Sequence, residues 1–510
     1  MPLQTSSVSV DAMSGGTKIW AFILGPVLAI ALYCLLPDTF TSASGELVQF
    51  GHPGKACAAV TILMATWWLT EALPIAVTAM LPIILYPLLG VTSPANTLRH
   101  YASGTIFLFL GGFLIAAAIH RWHLDRRIAL LTMSVFGTKP SQIVLGLMVA
   151  TAFLSAWVSN SATAAMMVPI AIAVMGVVRS AQNTVEPTQD EKNFSICVLI
   201  AIAYSASIGG LATLVGSPPN GIFARFVEDT YHVSVSFTAW MKVALPVALI
   251  VLPSAYILLT RVLFPIRLPG IPGGKTWIKG ELEKLGPLSR GERTVLVIFV
   301  LAAAFWMFGP LLRGIEIDGV RPLKPLSDEV IAMAAGVLLF IIPVDTKRGI
   351  HALDWNSAKD VVAWDVLLLF GGGLSMAAAI QTTGVAALIG AQAAALQGLD
   401  EFFYLCGVAF GTSWTSEVTS NTALAATMMP IVAAASESLH FNPEAPLFAM
   451  TISASFAFMM PVGTPPNAIV FGTGRLKIRD MVKAGIGLSL IGNSVCVLCS
   501  YFLGRGLIPM

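Results

Sequence analysis

Two short polar tracts interrupt long apolar stretches of this chain, and they restrict how it can fold more than any other feature. Residues 155–170 read SAWVSNSATAAMMVPI, and residues 416–431 read SEVTSNTALAATMMPI. The two texts share Ser, Asn, Ala, Met, Pro and Ile at matched positions. Hydroxyl and amide groups on a lipid-facing span would lack hydrogen-bond partners. The repetition therefore predicts one polar site that is built from two copies of the same element.

The composition assigns the chain to the integral membrane proteins. Of its 510 residues, 56% are hydrophobic and 11% are charged, and the mean hydropathy is +0.81, whereas soluble domains carry about 25% charged residues. The apolar runs have the length of membrane-spanning helices, roughly 17–25 residues. A net charge of +2 argues against a nucleic-acid partner. Cys496 and Cys499 are interpreted as small core residues and not as a zinc or redox pair, because they lie in an apolar segment without a second pair.

Each polar tract predicts the tip of a re-entrant hairpin. A hairpin over residues 141–177 places residues 159–161 inside protein or beside a water-filled cavity, where irregular polar backbone is tolerated. A second hairpin over residues 400–436 does the same for residues 420–422. We therefore expect the two tips to lie within the membrane without facing lipid.

A broken helix follows each hairpin. The sequences VGSPPN at 215–220 and VGTPPN at 462–467 interrupt apolar runs over 195–230 and 444–475. The paired prolines remove two N–H donors and the glycine permits unusual backbone angles, so each helix is expected to unwind and free carbonyl oxygens that can face a cation. The run FLFLGGFLIAAA also recurs as LLLFGGGLSMAAA. Three motifs repeated in one order indicate an internal duplication.

The duplication and the charge distribution together predict the architecture. We expect an all-α polytopic membrane protein with about eleven transmembrane helices, two re-entrant hairpins and two inverted repeats. Lys and Arg concentrate on the segments taken as cytoplasmic when the N-terminus is inside and the C-terminus outside, which agrees with the positive-inside rule. The cations placed outside are Lys55, Arg99, Arg225, Lys242, Arg313, Arg321, Lys324 and Arg505. The predicted divisions are a cytoplasmic tail (1–17), a first repeat with scaffold helices, hairpin and broken helix (18–266), a cytoplasmic linker (267–293) and a second inverted repeat (294–510).

Two further features allow alternative interpretations. Glu71, in the turn of the sequence WWLTEALP, is either a residue at the membrane boundary or a buried functional carboxylate. His120 and His123 lie in a basic segment that reads as an interfacial helix. Anchoring at the interface is favoured over metal binding because no third ligand lies nearby in the sequence.

The chemistry of the tips favours an anion together with a cation. The segments after each tip are good helix formers, so the tips lie at positive helix ends. Neither tract contains Lys or Arg. Asn160 and Asn421 can each donate to a carboxylate while the side-chain oxygen faces a cation, and hydroxyl and carbonyl oxygens are hard ligands that suit Na⁺. The alternative is that Ser159 and Ser420 only cap helices; the pairing of each tip with a Pro-Pro break favours a transport site.

The motif set resembles a known family. The tripeptides Ser-Asn-Ser and Ser-Asn-Thr at two hairpin tips, the breaks VGSPPN and VGTPPN, and the early WWLTEALP look like the divalent-anion:sodium symporter (DASS) family. That family includes sodium-coupled di- and tricarboxylate transporters. The resemblance covers nearly the whole chain after residue 17. It implies a homodimer with an elevator mechanism, in which a transport domain that holds the hairpins moves against a scaffold domain at the dimer interface.

The resemblance also implies the ligands of each site. The first sodium site would use Ser155, Ser159, Asn160 and the backbone near Gly216. The second would use Ser416, Thr419, Asn421 and the backbone near Gly463. Substrate carboxylates would meet Asn160, Ser161, Asn421 and Thr422, with Ser217 and Thr464 close by. Ser161 stands where the usual family motif has Thr, which keeps the hydroxyl, removes a methyl group and leaves the choice of substrate open.

The sequence thus predicts a multi-pass secondary active transporter of the cell (inner or plasma) membrane. It would carry a C4-dicarboxylate such as succinate, malate or fumarate into the cell, with Na⁺ as coupling ion, no organic cofactor, and the lipid bilayer as its environment. A sodium-independent dicarboxylate exchanger and a sulfate carrier are the alternatives among carriers. An intramembrane enzyme is disfavoured because the sequence lacks H-E-x-x-H, Gly-x-Ser-x-Gly and paired membrane aspartates. A channel is disfavoured because inverted repeats are typical of carriers.

Overall fold

The computed structural model describes residues 15–42, 47–137, 139–180, 186–268 and 274–506. The predicted tail, 1–17, lies outside these ranges up to residue 14. The helices of the first half are α1 (Gly15–Leu35), α2 (Gly51–Thr70), α3 (Ile75–Ala79), α4 (Leu81–Leu88), α5 (Pro94–Leu98), α6 (Gly104–Arg121), α7 (Leu124–Phe136), α8 (Pro140–Ser155), α9 (Asn160–Ser180), α10 (Gln189–Leu211), α11 (Pro218–Tyr231), α12 (Phe237–Ile257) and α13 (Gly274–Leu285).

The second half continues the helical architecture. Its helices are α14 (Arg290–Arg313), α15 (Asp328–Ile341), α16 (Trp355–Lys359), α17 (Trp364–Thr382), α18 (Val385–Ala393), α19 (Glu401–Ser416), α20 (Asn421–Ser438), α21 (Glu444–Ala454), α22 (Pro465–Phe471) and α23 (Ile478–Leu503). Single turns of 3₁₀-helix span Arg99–Ala102 and Ala394–Leu396, and a π-helical segment, Leu258–Leu263, continues α12.

Strands form two small antiparallel pairs within the described ranges. The first pairs β1 (Thr39–Thr41) with β2 (Leu47–Gln49), with Thr39 opposite Gln49. The second pairs β3 (Pro343–Asp345) with β4 (Ile350–His351), with Pro343 opposite His351. Strands of two or three residues are a small part of the described chain, so the prediction of an all-helical fold class is confirmed.

Seven helical segments in the described part of the chain are long and apolar enough to cross a membrane. They are Pro94–Arg121, Asn160–Ser180, Gln189–Leu211, Phe237–Leu263, Arg290–Arg313, Trp364–Thr382 and Ile478–Leu503. Four shorter apolar helices accompany them, at Ile19–Leu35, Ile75–Leu88, Pro140–Ser155 and Val385–Leu396. This set of helices confirms a polytopic membrane protein.

Local sequence signals determine where the long helices begin. The Thr188 hydroxyl accepts a hydrogen bond from the Glu191 N–H at 3.3 Å, and the Glu191 carboxylate accepts one from the Thr188 N–H at 2.6 Å. The same reciprocal pair, Ser289 with Glu292, begins α14 at 3.1 and 2.7 Å. Each pair satisfies two N–H groups that the first helical turn leaves without partners.

The two halves interlock around α10 and α21, which are almost wholly buried. Helix α10 packs against α8 and α9 of the first hairpin, and α21 packs against α19 and α20 of the second. The second segment of each broken helix then crosses to the other half. Helix α11 packs against α20, and α22 packs against α9. Because of this exchange, each hairpin tip is enclosed by elements from both repeats.

The predicted linker, 267–293, is more structured than its Gly and Pro content indicates. It contains α13 and the start of α14, and α13 packs against α7, the helix that follows the basic segment. Arg126 of α7 pairs with Glu281 of α13 at 2.8 Å, and Arg127 pairs with Glu292 of α14 at 2.6 Å. These ion pairs hold α7 between the two halves.

The structure shows the surroundings of Glu71, His120 and the Cys496–Cys499 pair. Glu71 is exposed in a left-handed turn at the end of α2, which fits a boundary residue. His120 pairs with Asp125 at 3.0 Å. Within the described ranges, no group of three His, Cys, Asp or Glu side chains could hold a metal ion. Cys496 and Cys499 are buried and free, as expected of core residues.

Candidate functional site

The first hairpin turns at the predicted tip. Helix α8 ends at Ser155 and α9 begins at Asn160. The Ser159 hydroxyl accepts a hydrogen bond from the Ala162 N–H at 3.3 Å, which caps α9. Ser159 therefore caps a helix, which was the alternative to a role in the transport site. The capping bond leaves one lone pair of its hydroxyl oxygen available at the tip. The hairpin bounds differ from the predicted 141–177 by a few residues.

Behind this tip, with the Asn160 oxygen facing inward, the oxygen atoms outnumber the hydrogen atoms that could join them. The Ser155 hydroxyl oxygen is 2.6 Å from the Asn160 amide and 2.7 Å from the Ala206 carbonyl oxygen of α10. One hydroxyl hydrogen can satisfy only one of these acceptors. The Gly216 carbonyl of the unwound segment also faces the Asn160 amide, at 3.2 Å. The structure thus brings Ser155, Asn160 and Gly216 together as predicted, and it adds Ala206.

The orientation of the Asn160 amide depends on what fills this cluster. With its oxygen inward, Asn160 faces only other acceptors. With its nitrogen inward, it donates to Ala206 at 3.1 Å and to Gly216 at 3.2 Å, so we assign that orientation when no cation is bound. A cation would reverse the preference, because serine, amide and carbonyl oxygens are the hard ligands that such ions require. The residues therefore fit a small cation such as Na⁺.

Glycine at position 210 makes this arrangement possible. Gly210 lies on the face of α10 against Asn160, and a Cβ atom there would collide with the Asn160 side-chain amide. Gly216 is similarly close to the Gly210 and Ala156 carbonyl oxygens. The tip can approach α10 only because these two positions lack side chains.

The second tip repeats the geometry of the first. Helix α19 ends at Ser416 and α20 begins at Asn421. The Ser416 hydroxyl is 2.6 Å from the Asn421 side-chain oxygen and 2.5 Å from the Ala454 carbonyl oxygen at the end of α21. Ser420 caps α20 by accepting from the Ala423 N–H at 3.4 Å. The Thr419 hydroxyl donates to the Thr415 carbonyl at 2.9 Å, which leaves its lone pairs available.

The two unwound segments are held by the asparagines of the Pro-Pro-Asn motifs. The Asn220 side-chain amide donates to the Gly210 and Thr213 carbonyls at 2.9 and 2.7 Å. The Asn467 amide donates to the Ala457 and Met460 carbonyls at 3.0 and 2.9 Å. Each amide replaces donors that the broken helix lost. The sequence analysis noted these asparagines as part of the breaks and assigned them no contact.

Glu417 is the one acidic side chain of the two tracts, and the sequence analysis gave it no role. It is buried, at 4% exposure, and its carboxylate accepts hydrogen bonds from the N–H groups of Phe458, Met459 and Met460 at 2.8–3.0 Å. A Cβ atom at Gly463 would lie 3.2 Å from this carboxylate. The backbone at Gly463 therefore lies beside Glu417. The sequence does carry a signal for Glu417, because it is a lone acidic residue in an apolar tract.

The predicted substrate residues present hydroxyl groups near the starts of four helices. Ser161 and Thr422 are half-buried, and their hydroxyls have no hydrogen-bond partner within the described ranges. Ser217 and Thr464 are buried directly before α11 and α22. Thr464 accepts from the Asn467 N–H at 3.3 Å. In the described part of the chain, no Lys or Arg side chain bonds to a predicted site residue, so helix ends and neutral donors would have to hold an anion.

Comparison with known proteins gives one consistent result. A family profile described as the sodium:sulfate symporter transmembrane region matches residues 30–509. A sodium-dependent dicarboxylate transporter of Staphylococcus saprophyticus is 36% identical over 487 residues, which cover 95% of this chain and 91% of the relative. A protein of the same description from Staphylococcus aureus strain USA300 is 37% identical over 462 residues, with 89% and 88% covered.

A solved structure shares the fold. The crystal structure of the Alcanivorax borkumensis YdaH transporter, described as having an unusual topology, superposes with a TM-score of 0.61 at 14% identity. The superposition covers 96% of this chain and 99% of that one. At this identity the likeness supports the fold alone.

Proposed function

Because the chain belongs to the divalent-anion:sodium symporter (DASS) family, we propose that it carries a C4-dicarboxylate across the cell membrane together with Na⁺. Membership of the family makes the protein a membrane transporter and not an enzyme. The observation that carries the proposal is the matched pair of oxygen clusters, Ser155 with Asn160 and Ser416 with Asn421, one behind each tip. The relatives described as sodium-dependent dicarboxylate transporters support the choice of ion and substrate.

The proposed coupling follows from electrostatics. A dicarboxylate dianion that enters a site enclosed by protein would be disfavoured without compensating charge. Na⁺ held by the oxygens of Ser155, Ser159, Asn160 and the backbone near Gly216, and by those of Ser416, Thr419, Asn421 and the backbone near Gly463, would supply that charge. Na⁺ at the first tip would turn the Asn160 oxygen inward, where the Asn421 oxygen already lies at the second tip, and the NH₂ groups of both would face the substrate. Ion and substrate would then raise each other's affinity.

The substrate would be bound by donors and not by a cationic side chain. The NH₂ groups of Asn160 and Asn421 and the hydroxyls of Ser161 and Thr422 would meet its carboxylates, with Ser217 and Thr464 at the helix starts beside them. The free hydroxyls of Ser161 and Thr422 support this assignment, since unpaired donors at helix N-termini attract anions. Two carboxylate groups match the two tips.

We also place the site on a moving body. The interlocked hairpins and broken helices would travel as one transport domain against scaffold helices in a homodimer, the elevator mechanism. The N-terminus would be cytoplasmic and the C-terminus outside. The exchange of α11 and α22 between the halves supports a single rigid transport body.

Uptake by purified protein in proteoliposomes tests the proposed function. With an inward Na⁺ gradient, succinate should accumulate above its external concentration, and unlabelled malate and fumarate should compete more strongly than citrate or sulfate. Equal uptake in choline and sodium would reject symport and favour the exchanger. Stronger competition by sulfate than by malate would favour an inorganic-anion carrier.

A further inference from the structure

A basic cavity lies on the body that carries the tips, away from the tips themselves. Its volume is about 870 Å³, and it is bordered by the end of α9, the start of α10 and the start of α23. Lys192, Arg475 and Lys477 line it. These three cations are exposed, and within the described ranges none of them pairs with a carboxylate. Nothing in the proposed transport cycle uses this cavity.

The acidic groups of the cavity are already engaged. Glu191 is bound by Arg179 at 3.0 Å and by the Thr188 N–H at 2.6 Å. Asp480 accepts from the Lys477 N–H at 3.3 Å and caps α23. With Arg179, four cations line the cavity against these two carboxylates, so its net charge is positive. The N-termini of α10 and α23, two helices of 23 and 26 residues, add the positive ends of their dipoles.

One wall of the cavity is apolar. It includes Ile172, which is 38% exposed, and the buried Met175 and Val178 of α9. Helix α9 is apolar enough to lie in a membrane and half of it is buried, so its other face meets lipid. A basic cavity that continues into an apolar, lipid-facing groove has the chemistry of a phospholipid site, since the cations meet the headgroup and the groove meets the acyl chains.

We propose that this cavity binds the phosphate group of an anionic phospholipid. Lys192, Arg475 and Lys477 hold the headgroup, and an acyl chain lies along α9 beside Ile172. Because α9 begins at Asn160, the lipid binds to the same helix that carries the first tip. In the conformation described here, a bound headgroup places the far end of α9 at the level of the lipid phosphates. This inference does not depend on the nature of the transported ion or substrate.

Thermal unfolding of the purified full chain in detergent tests the site. Added phosphatidylglycerol should raise the melting temperature by several degrees, and phosphatidylcholine should not. The triple variant Lys192→Gln, Arg475→Gln, Lys477→Gln should lose most of that shift. A matched triple, Lys347→Gln, Arg348→Gln, Lys359→Gln, removes the same charges from exposed positions outside the cavity and should keep it. Equal shifts in the parent and the cavity variant would overturn the proposal.

A second arm separates the lipid from a free anion. Inorganic phosphate at the same phosphate concentration should produce no comparable shift; if it matches the lipid, the lipid assignment is wrong. Should the triple variant fail to elute as a single species, the single variants Arg475→Gln and Lys477→Gln decide the question. Each should need several-fold more phosphatidylglycerol for half of the parental shift, and unchanged lipid dependence in both would contradict the site.

Discussion

At the scale of single residues, the close approach of Gly210 to Asn160 gives a sharp test of the first tip. We expect Gly210→Ala to displace the Asn160 amide and to raise the Na⁺ concentration for half-maximal uptake several-fold, because the new Cβ would collide with that amide. Gly407→Ala on α19 is the matched control, since no atom lies within 4 Å of its added Cβ. An unchanged sodium dependence in Gly210→Ala would remove Asn160 from the proposed ion site.

Other oxygen atoms of the two clusters could not be predicted from the sequence, for a physical reason. Asn160 and Asn421 follow from a local pattern, a polar tract repeated in apolar surroundings, and the family resemblance implies Ser155. The carbonyl oxygens of Ala206 and Ala454 carry no side-chain signature, and they enter each cluster only through the packing of α10 and α21. Backbone ligands of this kind become visible only when the tertiary structure is known.

At the scale of elements, Glu417 connects the second hairpin to the broken helix behind it. We predict that Glu417→Gln lowers the melting temperature and reduces uptake, because the amide NH₂ group cannot accept from the backbone N–H groups of 458–460. Leaving a buried donor unsatisfied costs about 1–3 kcal/mol. Glu316→Gln, at an exposed surface pair, should change neither quantity. If Glu417→Gln kept the stability and uptake of the parent, the loop at 458–460 would not depend on the Glu417 carboxylate.

The ion pair between Arg126 of α7 and Glu281 of α13 should contribute to stability in a way that depends on pH. The Lys284 ammonium at 2.6 Å, and with it the Arg126 guanidinium at 2.8 Å, lowers the pKa of the Glu281 carboxyl despite its burial. A pKa that is lower in the folded state stabilises the fold above the unfolded-state pKa, and this contribution is lost as the pH falls through the folded-state pKa. Because both cations are largely exposed, we expect at most about 1 kcal/mol.

Melting temperatures measured from pH about 7 down to about 4 check this linkage. Glu281→Gln should melt below the parent at neutral pH, and the difference should shrink on acidification. Glu283→Gln on the same helix, whose pair with Lys279 spans 3.8 Å at the surface, serves as control and should match the parent throughout. A difference for Glu281→Gln that stays constant with pH would exclude the charged pair as its cause.

Some element boundaries could be predicted from the sequence and others could not, for physical reasons. The hairpins and broken helices agree with the sequence to within a few residues, because Ser, Asn and Pro mark helix starts locally. The linker was predicted without structure, since its Gly and Pro residues obscure α13, whose place is set by contacts with α7. The division of α3 from α4 at Met80 does have a local signal, since Pro82 lies in the first turn of α4.

At the scale of the whole molecule, the orientation in the membrane is open to a direct test. Arg321 and Lys347 are exposed at opposite ends of α15, and the charge distribution places Arg321 outside and Lys347 in the cytoplasm. In a background with the exposed Cys34 replaced by Ser, an impermeant maleimide added to intact cells should label Arg321→Cys and spare Lys347→Cys. Permeabilised cells should show both labelled. The reverse pattern would invert the predicted topology.

The central claim is that two oxygen clusters, one behind each tip, bind Na⁺ and thereby create the site for a dicarboxylate. The most direct measurement is the dissociation constant of succinate for the purified protein as a function of Na⁺ concentration, at constant ionic strength with choline. We expect succinate to bind progressively more tightly as the Na⁺ concentration rises, and Ser155→Ala and Ser416→Ala each to weaken this dependence. A succinate affinity that is the same in sodium and in choline would contradict it.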